Sequence, residues 1–85
     1  MNYYIAVFWS RTEALSFATN LRRNGIPSAM ISTPKEAGKT CGLSVKILPE
    51  YIDDAKKVMG RIRTSSFGGW FASVFRNGKL SIIRI

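Results

Sequence analysis

The sequence predicts an α+β fold, and three observations carry that expectation. A run of β-branched and aromatic residues, Tyr3 to Trp9, leads directly into a helix-capping motif at Ser10. Two later segments, Ala14 to Leu21 and Ile52 to Ile62, carry apolar residues at helical spacing. Short strand-forming segments fill the rest, and the final pair is joined by Asn77-Gly78, a strong hairpin signal.

Taken in order, Tyr3-Tyr4-Ile5-Ala6-Val7-Phe8-Trp9 is apolar or aromatic throughout, as a strand buried on both faces would be. Ser10-Arg11-Thr12-Glu13 has the S-x-x-E spacing of a capping box, whose hydroxyl and carboxylate satisfy free amides at a helix start. Ala14, Leu15, Phe17, Ala18 and Leu21 then form one apolar face, and Asn24-Gly25 supplies the C-terminal stop. Ile26-Pro27 restarts the chain in extended form, and Ala29–Ser32 reads as a second strand. Residues 33–42 have no hydrophobic period and read as a loop, whereas Leu43-Ser44-Val45-Lys46-Ile47 alternates as a third strand with one face in the core.

Pro49-Glu50 opens a second helix with the stripe Ile52, Ala55, Val58, Met59 and Ile62, leaving Lys56, Lys57 and Arg61 outward. Thr64 to Gly69 is expected to be a flexible connection, and Trp70–Phe75 pairs with Leu80–Ile85 as the hairpin. This order predicts a ferredoxin-like βαββα sandwich, with both helices on one face of a mostly antiparallel sheet and an additional C-terminal β-hairpin. One domain is expected over residues 1–85, with its core in 3–62 and the hairpin in 70–85. Such a fold hosts many activities, so function must be argued from a site.

The counts remove several chemistries. The chain has no histidine, which excludes Ser-His-Asp and Cys-His nucleophiles and HExxH zinc sites within it. Its single cysteine, Cys41, excludes an internal disulfide, a CxxC pair and a cysteine-cluster metal site. No metal or other cofactor is expected. The start lacks a basic segment followed by an apolar one, and Tyr3 to Trp9 is too short to span a bilayer, so a cytoplasmic protein without a membrane role is expected.

Thirteen Lys and Arg against five Asp and Glu give a charge of +8, a field that attracts nucleic acid, anionic lipid or an acidic partner alike. The cations never run longer than two, and no recognition motif accompanies them, so weak non-specific nucleic-acid binding at most is expected. Tyr3, Tyr4, Phe8 and Trp9 could suggest a stacking strand, but Leu43–Ile47 has no aromatic residue to complete it, and core packing explains the first strand better. Gly38-Lys39-Thr40 resembles the tail of a phosphate-binding loop, but Thr33 stands where that motif needs glycine and a strand follows instead of a helix. Glu36 with Asp53 or Asp54 is a weak acid–base pair, since acids at helix starts ordinarily offset the dipole.

Cys41 is the most reactive side chain available. Lys35 and Lys39 share its loop and favour thiolate over thiol, and Gly42 offers backbone freedom and a close approach to the sulfur. Loop amides there could also form an anion-binding nest. The competing reading is a small buried cysteine at a strand start.

The residues Tyr3 to Phe8, Ser10 to Leu15, Thr33-Pro34-Lys35-Glu36-Ala37 and Cys41-Gly42-Leu43-Ser44-Val45-Lys46 together resemble the selenium/sulfur carrier-like family. The resemblance covers roughly residues 3–62 by its order of elements, and the Thr-Pro-basic-Glu-Ala…Cys-Gly loop is its most specific part. It implies a small α+β domain whose loop cysteine, here Cys41, carries sulfur or selenium as a persulfide or perselenide. Its partners would be a donor enzyme and an acceptor protein. Lys35, Lys39, Thr40 and Gly42 are the candidate substrate-binding residues around that thiol. The alternative is a non-catalytic interaction or RNA-binding module with a structural cysteine. The hairpin Trp70–Ile85 has no counterpart in the resemblance. Its Phe71, Phe75, Leu80 and Ile82 are expected at an exposed sheet edge that pairs two copies as a homodimer.

Overall fold

The computed structural model describes residues 2–37 and 42–85. Its elements are β1 (Tyr3–Phe8), α1 (Arg11–Arg23), β2 (Ala29–Ser32), β3 (Leu43–Ile47), α2 (Ile52–Arg61), β4 (Phe67–Arg76) and β5 (Lys79–Arg84). Short 3-10 turns occupy Lys35–Ala37 and Pro49–Tyr51, so Pro49 and Glu50 open a tight turn and α2 begins after it. The strands form an antiparallel sheet in the order β2-β3-β1-β4-β5. The α+β expectation holds.

The hairpin is not an appendage. Its first strand, β4, lies beside β1 from Tyr3↔Ser73 to Phe8↔Phe67 and is an interior strand of the sheet. The cause is β1 itself, in which Ile5, Ala6, Val7 and Phe8 are fully buried. A strand buried that deeply needs backbone partners on both edges, and β3 supplies only one. Phe67, Gly68 and Gly69 therefore belong to β4 and not to a flexible connection. The register slips between Val7 and Phe8, and Gly69 absorbs the irregularity at φ +116°, a region that excludes side-chain-bearing residues.

β1 feeds both cores. Ala6 and Phe8 join Val45 and Ile47 beneath Ala14, Phe17, Ala18 and Leu21 of α1 and Ala55 and Val58 of α2, which puts both helices on one face. Four rings close this layer: Phe8 lies 5.6 Å from Phe17 and 5.5 Å from Phe67, and Trp70 lies 6.1 Å from Phe17 and 5.7 Å from Phe67. These separations fall in the favourable range for tilted and edge-on aromatic pairs. On the opposite face Ile5 and Val7 pack with Phe71, and Ala37 covers them. The segment between β2 and β3, a loop by its pattern, thus supplies a covering residue, because apolar side chains on the helix-free face still need cover. Phe71 belongs to that core and Ile82 is half-buried, so of the four hairpin residues expected at an exposed edge only Phe75 and Leu80 are exposed.

Trp9 lies beyond β1 and is 53% exposed. α1 begins as its motif predicts, with the Ser10 hydroxyl accepting from the Glu13 amide at 3.3 Å. The carboxylate half of the box goes elsewhere. Glu13 accepts from the amides and hydroxyls of both Ser65 and Ser66, at 2.7–3.1 Å, and the Ser10 amide donates instead to the Ser66 hydroxyl. This clasp ties the start of α1 to the segment entering β4. The bonds from the Ser65 amide, then from the Ser66 hydroxyl and amide and the Ser65 hydroxyl, lower the Glu13 pKa from 4.5 to about 2.

Candidate functional site

Of the candidate site residues, Lys39, Thr40 and Cys41 lie outside the described residues. Lys35 and Gly42 stand on either side of them. Lys35 is exposed on the 3-10 turn that also carries buried Ala37. Gly42 begins the stem that becomes β3, and its surroundings are well defined.

Thr33, just past the end of β2, closes the two stems of this loop. Its amide and hydroxyl both donate to the Gly42 carbonyl, at 3.3 and 2.8 Å. Its oxygen also lies 2.9 Å from the hydroxyl of fully buried Ser44. Since the single Thr33 proton is committed to Gly42, Ser44 is the donor in that second bond, and neither hydroxyl is left unsatisfied. The β2–β3 ladder ends at Ser32↔Leu43, so the clasp extends the pairing beyond the sheet to the residue bonded to Cys41.

Gly42 is needed for space, because its position leaves no room for a side chain. A Cβ at this position would collide with the Phe8 carbonyl oxygen and lie 3.1 Å from the Phe8 carbonyl carbon and 3.3 Å from the Trp9 Cα. At the Gly42 Cα the chain's own backbone makes a close approach. The residue after Cys41 is thereby pressed against the point where β1 passes into α1.

Beside this stem, Arg11, Thr12 and Leu15 of α1 face Met30 of β2 and Leu43 of β3 across an open groove of about 300 Å³. Its lining combines three apolar side chains, Leu15, Met30 and Leu43, with the cation Arg11. A second hollow, of about 220 Å³, lies at the far end of the β2–β3 ladder and is lined by Pro27, Ser28, Ala29, Lys46 and Leu48. Among the described residues no three His, Cys, Asp or Glu side chains come together as metal ligands would.

A family model described as "Putative Se/S carrier protein-like" matches residues 3–66. The chain belongs to this family. No curated protein and no solved structure gives a match. The family match includes the Cys41-Gly42 pair, Thr33, Ser44 and the whole Glu13–Ser65–Ser66 clasp, and it stops one residue before β4. Sequence reasoning located the Cys-Gly pair but not what holds it. Nothing local to Thr33 or Ser44 marks them as a clasp, since each is an ordinary polar residue near a strand end. No helix among the described residues is long and apolar enough to cross a membrane.

Proposed function

We propose that this chain is a sulfur or selenium carrier in which Cys41 holds the transferred atom as a persulfide or perselenide. The observation that carries this reading is the family match across the Cys41-Gly42 pair. In the loading step the Cys41 thiolate attacks the terminal sulfur of a persulfide on a donor enzyme. One S–S bond forms as another breaks, and the donor departs as a thiolate, so no outside oxidant or reductant is needed. In the delivery step a nucleophile on the acceptor attacks the same terminal atom and Cys41 leaves as thiolate.

The chain's own residues would serve both steps by stabilising anions. Lys35 and Lys39 would favour thiolate and terminal chalcogenide by charge, and Thr40 and Gly42 would contribute backbone amides. Gly42, held by Thr33 and pressed on Phe8, would give the reactive residue a firm anchor on β1. A lone thiol of this kind suits the reducing cytoplasm. We read the strand order as the ferredoxin-like plan with β5 added at the β4 edge.

Loading tests the reading. Incubation with a cysteine desulfurase and cysteine should add the mass of one sulfur, removable by a thiol reductant, and Cys41→Ser should abolish the adduct while circular dichroism remains unchanged. Alkylation of Cys41 at pH 7 should outpace that of an unstructured cysteine peptide, whose thiol has a pKa of about 8.5, and should slow as salt screens the lysines. Native-state alkylation no faster than global unfolding would refute the carrier and leave a structural cysteine.

A further inference from the structure

In the sheet order β5 is bordered by β4 on one side and by no strand of the described residues on the other. Its pairing runs unbroken from Phe71↔Arg84 to Arg76↔Lys79. Two bonds show which way the backbone points. The Ile85 amide donates to the Trp70 carbonyl at 3.1 Å, whereas the Phe75 amide turns away from β5 to reach the Asn2 side-chain oxygen at 3.4 Å. By the alternation of an antiparallel ladder, the N–H and C=O groups of Leu80, Ile82 and Arg84 therefore point outward along the open edge.

That edge is apolar between its ends. Leu80 is 47% and Ile83 50% exposed, and Phe75, opposite Leu80, is 54% exposed. Unpaired backbone groups beside exposed apolar side chains form a template for a further strand. Charge selects which strand. The charged residues of the hairpin, Arg76, Lys79 and Arg84, are all cations, on a chain of net charge +8. A second copy would bring the same cations to the junction, and like charges across a strand pair destabilise it. A strand carrying carboxylates between its apolar residues would be drawn in by the same charges.

We propose that the open edge of β5 docks an extended segment of a partner protein in which apolar and acidic residues alternate. Main-chain bonds from Leu80, Ile82 and Arg84 would supply affinity. Lys79 at one end, with the Arg84 guanidinium at the other turned in over the Phe71 ring at 5.7 Å, would disfavour basic strands. This edge lies outside the matched residues 3–66, so the inference does not rest on the role of Cys41.

Amide exchange followed by NMR, with a synthetic peptide of about ten residues alternating valine and glutamate, provides the test. The peptide should slow exchange at Leu80, Ile82 and Arg84 by about tenfold or more, and this protection should fade in high salt. The same peptide with lysine for glutamate should give none. Leu80→Pro removes one outward-facing amide without touching the bonds to β4, so it should abolish protection while the Ile83 and Ile85 amides stay slow. No protection at millimolar peptide, or equal protection by the lysine peptide, would overturn the proposal. Protection that rises with the protein's own concentration, without peptide, would overturn it in favour of a second copy.

Discussion

Replacing Gly42 with alanine probes the packing beside Cys41 most directly. The new Cβ would meet the Phe8 carbonyl and the Trp9 Cα, all backbone atoms with no rotamer to yield. β1 has little room to retreat, because Phe8 is fully buried and its ring packs against Phe17 and Phe67. The stem has little room either, since Gly42 carries both bonds from Thr33. Overpacking of this kind costs about 1–3 kcal/mol, and loss of the Thr33 bonds adds about 1 kcal/mol for each one broken. A total near 3 kcal/mol is expected, which for a domain of this size lowers Tm by about 12–24 °C at about 4–8 °C per kcal/mol. Urea denaturation of the purified variant measures it, with the slope m checked to be unchanged. Gly60→Ala is the internal control. Gly60 is exposed in α2 and a Cβ there meets nothing within 4 Å, so that variant should gain about 0.5–1 kcal/mol from helix propensity. A Gly42→Ala protein within about 0.5 kcal/mol of wild type, beside a Gly60→Ala protein that gains as expected, would refute the wedge against β1.

Three further outcomes are expected. Glu13 is lowered from 4.5 to about 2 in the folded chain, so its clasp contributes fully above pH 4.5 and is lost as pH falls through 2. The stability gap between wild type and Glu13→Gln, followed by thermal melts, should therefore be flat above pH 5 and close towards pH 2. A gap independent of pH over that range would disprove the clasp. The Ser73 hydroxyl is buried with no hydrogen-bond partner among the described residues, and its removal relieves a desolvation cost of about 1–3 kcal/mol, so Ser73→Ala should raise the urea midpoint. A lowered midpoint would show that the hydroxyl is paired in solution. Spread cations without a stacking strand should bind RNA no more tightly than about 10⁻⁶ M at physiological salt, with little preference for sequence. Tight, sequence-selective binding in a filter or fluorescence assay would favour an RNA-binding module over a carrier.

Elements whose causes are local can be read from the residues alone. Ser10 caps α1, and β2 and β3 occupy Ala29–Ser32 and Leu43–Ile47 as their patterns predict. Asn77 and Gly78 turn the hairpin with φ of 50° and 74°. Each is legible because a cap, an alternation or a turn is specified by residues a few positions apart. The Cys-Gly pair was legible in the same way, as adjacent residues of a recognisable loop. The tertiary structure decided everything that depends on what comes from far along the chain. A carboxylate at Glu13 can accept from several donors, and nothing in its neighbourhood names Ser65 and Ser66 over the Ser10 amide. Ala37 is an unremarkable loop residue until the sheet folds an apolar face beneath it. By its pattern β4 is one strand of an additional hairpin, because that pattern says it is a strand but not that β1 lacks a partner on that side. Gly42 shows the division most clearly. Its identity was visible from the start, yet the reason for it is a carbonyl of β1, thirty-four positions earlier, that only the folded sheet brings against it.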